Sequence, residues 1–112
     1  MGLLLLVAAL LYGDATSDSW QGGLRLGESQ VIDFSLQEND HVRGELHSSQ
    51  GPALLTLFGP TGEQIGQWRY LERGNHAVAF AAASSGGYRL KVEAGSEVLV
   101  YYLFLEVIRP AR

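Results

Sequence analysis

Gly86-Gly87-Tyr88-Arg89-Leu90-Lys91-Val92-Glu93 alternates apolar and charged side chains without a slip after its glycine pair. In an extended chain, successive side chains point to opposite faces. Tyr88, Leu90 and Val92 therefore belong on an apolar interior, and Arg89, Lys91 and Glu93 belong in water. Ser84-Ser85-Gly86-Gly87 before the run and Ala94-Gly95-Ser96 after it are turn signals.

The same pattern spreads in both directions. Upstream, Ile32, Phe34 and Leu36 alternate with Asp33, Ser35 and Gln37, which predicts a strand over Val31–Leu36. After a turn at Gln37-Glu38-Asn39-Asp40, a strand runs from His41 to Ser48 with Val42, Gly44 and Leu46 inward. Glycine on that inner row points to a bulge or a close backbone approach. Ala53–Phe58 follows, with Ala53, Leu55 and Leu57 inside, and Gly59-Pro60-Thr61-Gly62 turns the chain. A strand from about Glu63 to Tyr70 has no clear phase. Arg73-Gly74-Asn75 turns next, and Ala77–Ala81 places Val78 and Phe80 inside. Val98–Val107 is the last strand before Pro110. No ten-residue stretch of helical period follows the leader. The expected fold is all-β: a two-sheet antiparallel β-sandwich, jelly-roll-like, of about seven to eight strands.

Residues 1–15 are expected to be a signal peptide. Their uninterrupted apolar run, Met1 to Leu11, is too short for a bilayer, which takes roughly 20 residues. It suits a signal core, and Gly13 and Ala15 supply small residues for cleavage before Thr16. The alternative is a first strand or helix of the domain. Residues 16–23 are polar and glycine-rich and are expected to be a linker, with the domain spanning 24–108. No stable membrane span is expected once the leader is removed.

The 112 residues suit one domain, and 46% hydrophobic with 18% charged residues is ordinary for a globular chain. Eight Lys and Arg are scattered and the formal net charge is −4, so nucleic acid is not an expected partner. With no cysteine there is no disulfide, thiolate metal site or lipid-anchored cysteine.

Three stretches are similar to motifs of one family. Leu54-Leu55-Thr56-Leu57-Phe58-Gly59-Pro60-Thr61-Gly62 resembles the centre of bacterial pre-peptidase C-terminal domains. Phe80 to Val92 and the closing Tyr101-Tyr102-Leu103-Phe104-Leu105 resemble two further runs of that family, in the right order. The resemblance covers about Leu24 to Val107. It implies a jelly-roll-like sandwich attached to exported proteins, aiding secretion, solubility or attachment to a partner or substrate. Some relatives bind calcium through acidic residues just before the first of these stretches. Here those positions are Pro52 and Leu54, whose side chains cannot ligate a hard cation.

The chemistry-bearing residues point away from catalysis. His41, Glu45 and His47 share a strand face, but His41 and His47 stand about 20 Å apart, too far to share an ion. No serine sits in a nucleophile elbow. Asp33 and Arg43 are placed to meet across neighbouring strands. No catalytic residue, metal site or cofactor is expected. Trp68 and Tyr70 share a face and offer a weaker candidate surface, with core packing the favoured role. The principal candidate interface is the last strand. With Tyr101, Leu103, Leu105 and Val107 inward, Val98, Val100, Tyr102 and Phe104 face outward as an apolar row where polar residues belong. The reading is an extracytoplasmic, non-catalytic accessory module that engages a protein partner or a neighbouring domain. A self-associating structural subunit, a homo-oligomer through the last strand, is the alternative. A small hydrolase is the least favoured class.

Overall fold

The computed structural model describes residues 5–9 and 13–110, with side chains from Thr16 onward. Its strands are β1 (Leu5–Ala9), β2 (Gly13–Arg25), β3 (Ser29–Leu36), β4 (His41–Gln50), β5 (Ala53–Phe58), β6 (Gln64–Tyr70), β7 (Gly74–Ala81), β8 (Gly86–Ala94) and β9 (Val98–Ile108). They form two antiparallel sheets, one ordered β1-β2-β9-β4-β7 and the other β3-β8-β5-β6. The result is a jelly-roll-like β-sandwich, and β8 lies over β9 and β2.

Alternation decides what meets between the sheets. Ile32, Leu36, Val42, Leu46, Leu55, Leu57, Val78, Leu90, Val92, Leu99 and Leu103 are buried in one cluster. Phe34 and Phe80 pack against it, their ring centroids 6.2 Å apart. Burying such a side chain contributes about 1.5–3 kcal/mol, which offsets the entropy of ordering the chain.

Two expectations about the N-terminal half need correction. Residues 16–23 are not a linker. They lie within β2, which pairs with β9 from Ala15↔Ile108 to Arg25↔Val98. Serine and glycine mask the alternation there: Trp20 and Leu24 pack on the core, and Gln21 and Gly23 on the other row are exposed. The sandwich therefore begins before Leu24. Within the expected signal segment, Leu5–Ala9 is an edge strand pairing Leu5↔Ser17 to Ala9↔Gly13, and residues 1–4 and 10–12 lie outside the described residues.

Asp33 does not meet Arg43. The β3–β4 connection crosses between the sheets, so these two strands are not neighbours. Asp33 pairs instead with Arg89 at 2.7 Å on β8, and Arg43 with Glu106 at 3.0 Å on β9. The expected turns at 73–75 and 84–87 are shorter than anticipated, because β7 starts at Gly74 and β8 at Gly86.

The crossing turn is held by a buried carboxylate. Asp40 is 0% exposed. Its Oδ2 accepts the Gln37 N–H at 2.8 Å, and Arg109 donates from Nε to Oδ1 and from Nη2 to Oδ2, each at 3.2 Å. Its backbone oxygen accepts the Ala82 N–H at 2.9 Å. One residue thus joins the β3–β4 turn to the end of β9 through its side chain and to the segment after β7 through its backbone.

Gly44 explains its place on an inner row. A Cβ built there would run into the carbonyl group of Phe104 on β9. Two backbones approach where no side chain fits. Gly44→Ala is therefore expected to cost about 3 kcal/mol. Gly87→Ala, whose added carbon would meet nothing within 4 Å, is expected to be neutral or stabilising. Urea unfolding of both variants checks this pair.

Candidate functional site

The outer face of the five-stranded sheet is organised by β9, which lies between β2 and β4. Leu99, Tyr101, Leu103 and Leu105 on its inner row are buried. The alternate row is bare: Val100 is 38% exposed, Tyr102 43% and Phe104 37%, and Val98 is half-buried at the strand's start. The candidate side chains form one row on one strand.

The neighbours keep that row uncovered. On the β2 side, Gly23, Gln21 and Ser19 lie opposite Val100, Tyr102 and Phe104. On the β4 side, His47 and Glu45 lie opposite Tyr102 and Phe104. Gly23 and Ser19 are too short to cover Val100 and Phe104, so the row stands above the β2 side of the sheet at those positions. Its β4 flank is polar: His47 Nδ1 is 2.6 Å from Asn75 Oδ1, and the Arg43–Glu106 pair closes the far end. The arrangement is an apolar ridge with a hydrogen-bonding border.

The weaker candidates sit elsewhere. Trp68 and Tyr70 lie on β6 in the other sheet, half-buried against the core. Trp68 packs on Phe80 with centroids 6.0 Å apart. Tyr70 stacks on His76 at 4.5 Å and donates its hydroxyl to the Ala77 oxygen at 2.6 Å. These contacts tie β6 to β7 across the two sheets and leave no flat aromatic pair presented to solvent.

Among the described residues, no group of three His, Asp or Glu side chains converges as a metal site. His41, Glu45 and His47 are exposed on one face of β4, as the alternation requires. Titration is perturbed mainly by local partners. The hydrogen bond from Arg89 holds the Asp33 carboxyl below its usual range. Burial pushes the Tyr101 hydroxyl up to about 12. It is a core hydroxyl with no hydrogen-bond partner among the described residues.

Concavities also lie away from the ridge. A broad groove of about 870 Å³ runs over the outer face of the four-stranded sheet, past Val31, Asp33, Phe58, Pro60, Arg89 and Lys91. A smaller cleft of about 390 Å³ opens between the sheets where β2 faces β3, with Trp20 and Phe34 in its lining. Sequence reasoning missed this cleft because Trp20 stood in the presumed linker. The even-numbered row of Trp20 and Leu24 was the available signal.

No family model matches the chain, and no curated protein matches it in sequence. Similarity to solved structures is clear. PliG from Aeromonas hydrophila, a periplasmic lysozyme inhibitor of g-type lysozyme, superposes with a TM-score of 0.63 at 19% identity, over 81% of this chain and 85% of that one. The Yersinia pseudotuberculosis-derived mitogen follows at 0.62 and 13% identity, covering 86% and 88%. A CBM36-1 domain of a multidomain xylanase from the hindgut metagenome of Trinervitermes trinervoides gives 0.55 at 8% identity, over 100% of both chains. At these identities the shared property is the sandwich fold. It is a likeness to these domains and not specifically to pre-peptidase C-terminal domains.

The two rows of β9 carry different energetic weights. Leu103→Ala is expected to cost about 3 kcal/mol, as a core truncation does. Tyr102→Ser and Phe104→Ser are expected to cost about 1 kcal/mol each, the span of strand preference at an open position. Thermal or urea unfolding of the three variants measures the contrast.

Proposed function

We propose that this chain is an extracytoplasmic, non-catalytic binding module that engages a protein partner through the outer face of β9. The observation that carries the reading is the uncovered row of Val100, Tyr102 and Phe104 on a central strand. A central strand has no edge to protect, so apolar residues on its solvent side serve neither pairing nor the core. Contiguous exposed apolar rows mark interaction surfaces, and aromatic side chains supply large contact area at such sites.

Several features support the accessory role. Cysteine is absent from the sequence, and the described residues bring together no metal cluster. The similar folds include a protein inhibitor and a domain of a multidomain xylanase. The apolar leader and the periplasmic setting named for PliG support export. The motif likeness to pre-peptidase C-terminal domains supports service beside an exported enzyme, in secretion or attachment.

A photo-crosslinking phenylalanine analogue at position 102, with the same analogue at exposed Gln67 of the other sheet as control, tests the surface in the exporting cell. The expected result is one discrete heteromeric adduct from position 102, absent from position 67 and lost when Phe104→Ser is added. Adducts only between copies of this chain would reassign the face to self-association. Equal adducts from both positions would contradict the proposal.

A further inference from the structure

The cleft between β2 and β3 is separate from the β9 ridge and differs from it in chemistry. Its floor is apolar: Trp20 from β2, Phe34 from β3, Val42 from β4, and Leu105 and Val107 from β9. Its rim is charged, with Asp18, Asp33 and Arg109. A mostly apolar concavity of about 390 Å³ with a few polar groups at its mouth has the build of a small ligand or side-chain pocket.

The rim charges are not equivalent. Asp33 is committed to Arg89 at 2.7 Å, and Arg109 to Asp40 at 3.2 Å. Asp18 differs. One of its oxygens accepts the Ser19 N–H at 2.8 Å, and among the described residues no ion pair engages it. It is half-buried on the inward row of β2, two residues before Trp20. Among the described rim carboxylates it is therefore the one left available to a cationic group.

Its distance from Trp20 narrows the chemistry further. Same-face neighbours on a strand lie roughly 6.5–7 Å apart. A cation held by Asp18 therefore rests near the indole, where cation–π attraction acts within about 6 Å of the ring. The apolar floor then covers an alkyl stem. The chain's net charge of −4 favours the approach of such a group.

We propose that this cleft binds a guanidinium or ammonium group carried on an alkyl stem, with Asp18 as its counter-ion and Trp20 and Phe34 as its walls. An arginine or lysine side chain of a protein and a free alkyl amine share this chemistry. A neutral sugar stacked on Trp20 would use the aromatic floor without needing the charge.

Nuclear magnetic resonance titration of the ¹⁵N-labelled protein tests the site, because the indole N–H of Trp20 reports on the cleft and that of Trp68 serves as an internal reference. The probes are Nα-acetyl-arginine methylamide, the matching citrulline compound, agmatine and xylotriose. The arginine compound is expected to move the Trp20 signal and spare Trp68. Citrulline is expected to bind on the order of tenfold more weakly, as is the arginine compound to Asp18→Asn, consistent with loss of one charge-assisted contact. Asp18→Asn keeps an acceptor for the Ser19 N–H, and an otherwise unchanged spectrum verifies its fold. The tighter of blocked arginine and agmatine identifies a protein or a free amine as the source. Equal binding of arginine and citrulline compounds, an unaffected Asp18→Asn variant, or a Trp20 response to xylotriose alone would overturn the proposal.

Discussion

Strand β9 cannot turn both of its rows inward. The pleat sends neighbouring side chains to opposite sides, and β9 carries apolar residues on both. One row, Leu99 to Leu105, fills the sandwich. The other is left on the surface as a consequence of the first. Because β9 lies between β2 and β4, its backbone donors and acceptors are engaged on both sides. Only the outward side chains remain free to recognise anything, and the functional reading follows from that constraint.

Much of the architecture was legible from alternation. Apart from β6, whose phase is unclear in the sequence, the strands from Ser29 to Ile108 lie close to where period-two patterning places them, and Leu57, Leu90, Phe34 and Phe80 share one core. The outward placement of Val100, Tyr102 and Phe104 was legible for the same reason. What escaped was partnership between segments. In β2 the rows differ by serine and glycine against Trp20 and Leu24, a contrast too slight for hydropathy alone. The Asp33–Arg43 expectation failed because adjacency in sequence was taken as adjacency in a sheet. A jelly-roll-like sandwich sends consecutive strands to different layers, and only the three-dimensional closure shows which.

Asp40 shows how that closure is enforced. It is a buried charge in a turn, which would be costly alone, but Arg109 and the Gln37 N–H satisfy it. Gly44 plays the steric counterpart by letting β4 and β9 approach where a side chain would collide. Neither residue belongs to a candidate surface. Both fix where those surfaces sit: Asp40 anchors the end of β9 beside the cleft, and Gly44 sets the spacing beneath the ridge. The sandwich is shared with an inhibitor, a mitogen and a xylanase module at low identity, so the surfaces, rather than the scaffold, must carry what is particular to this chain.

Cysteine accessibility scanning along β9 is the most direct measurement. The chain has no native cysteine, so single substitutions at positions 99 to 105 report without background. Thiol labelling in the folded protein should be fast at 100, 102 and 104 and strongly suppressed at 99, 101, 103 and 105. Uniform reactivity, or labelling with a helical period, would contradict a strand that faces the core on one side and solvent on the other.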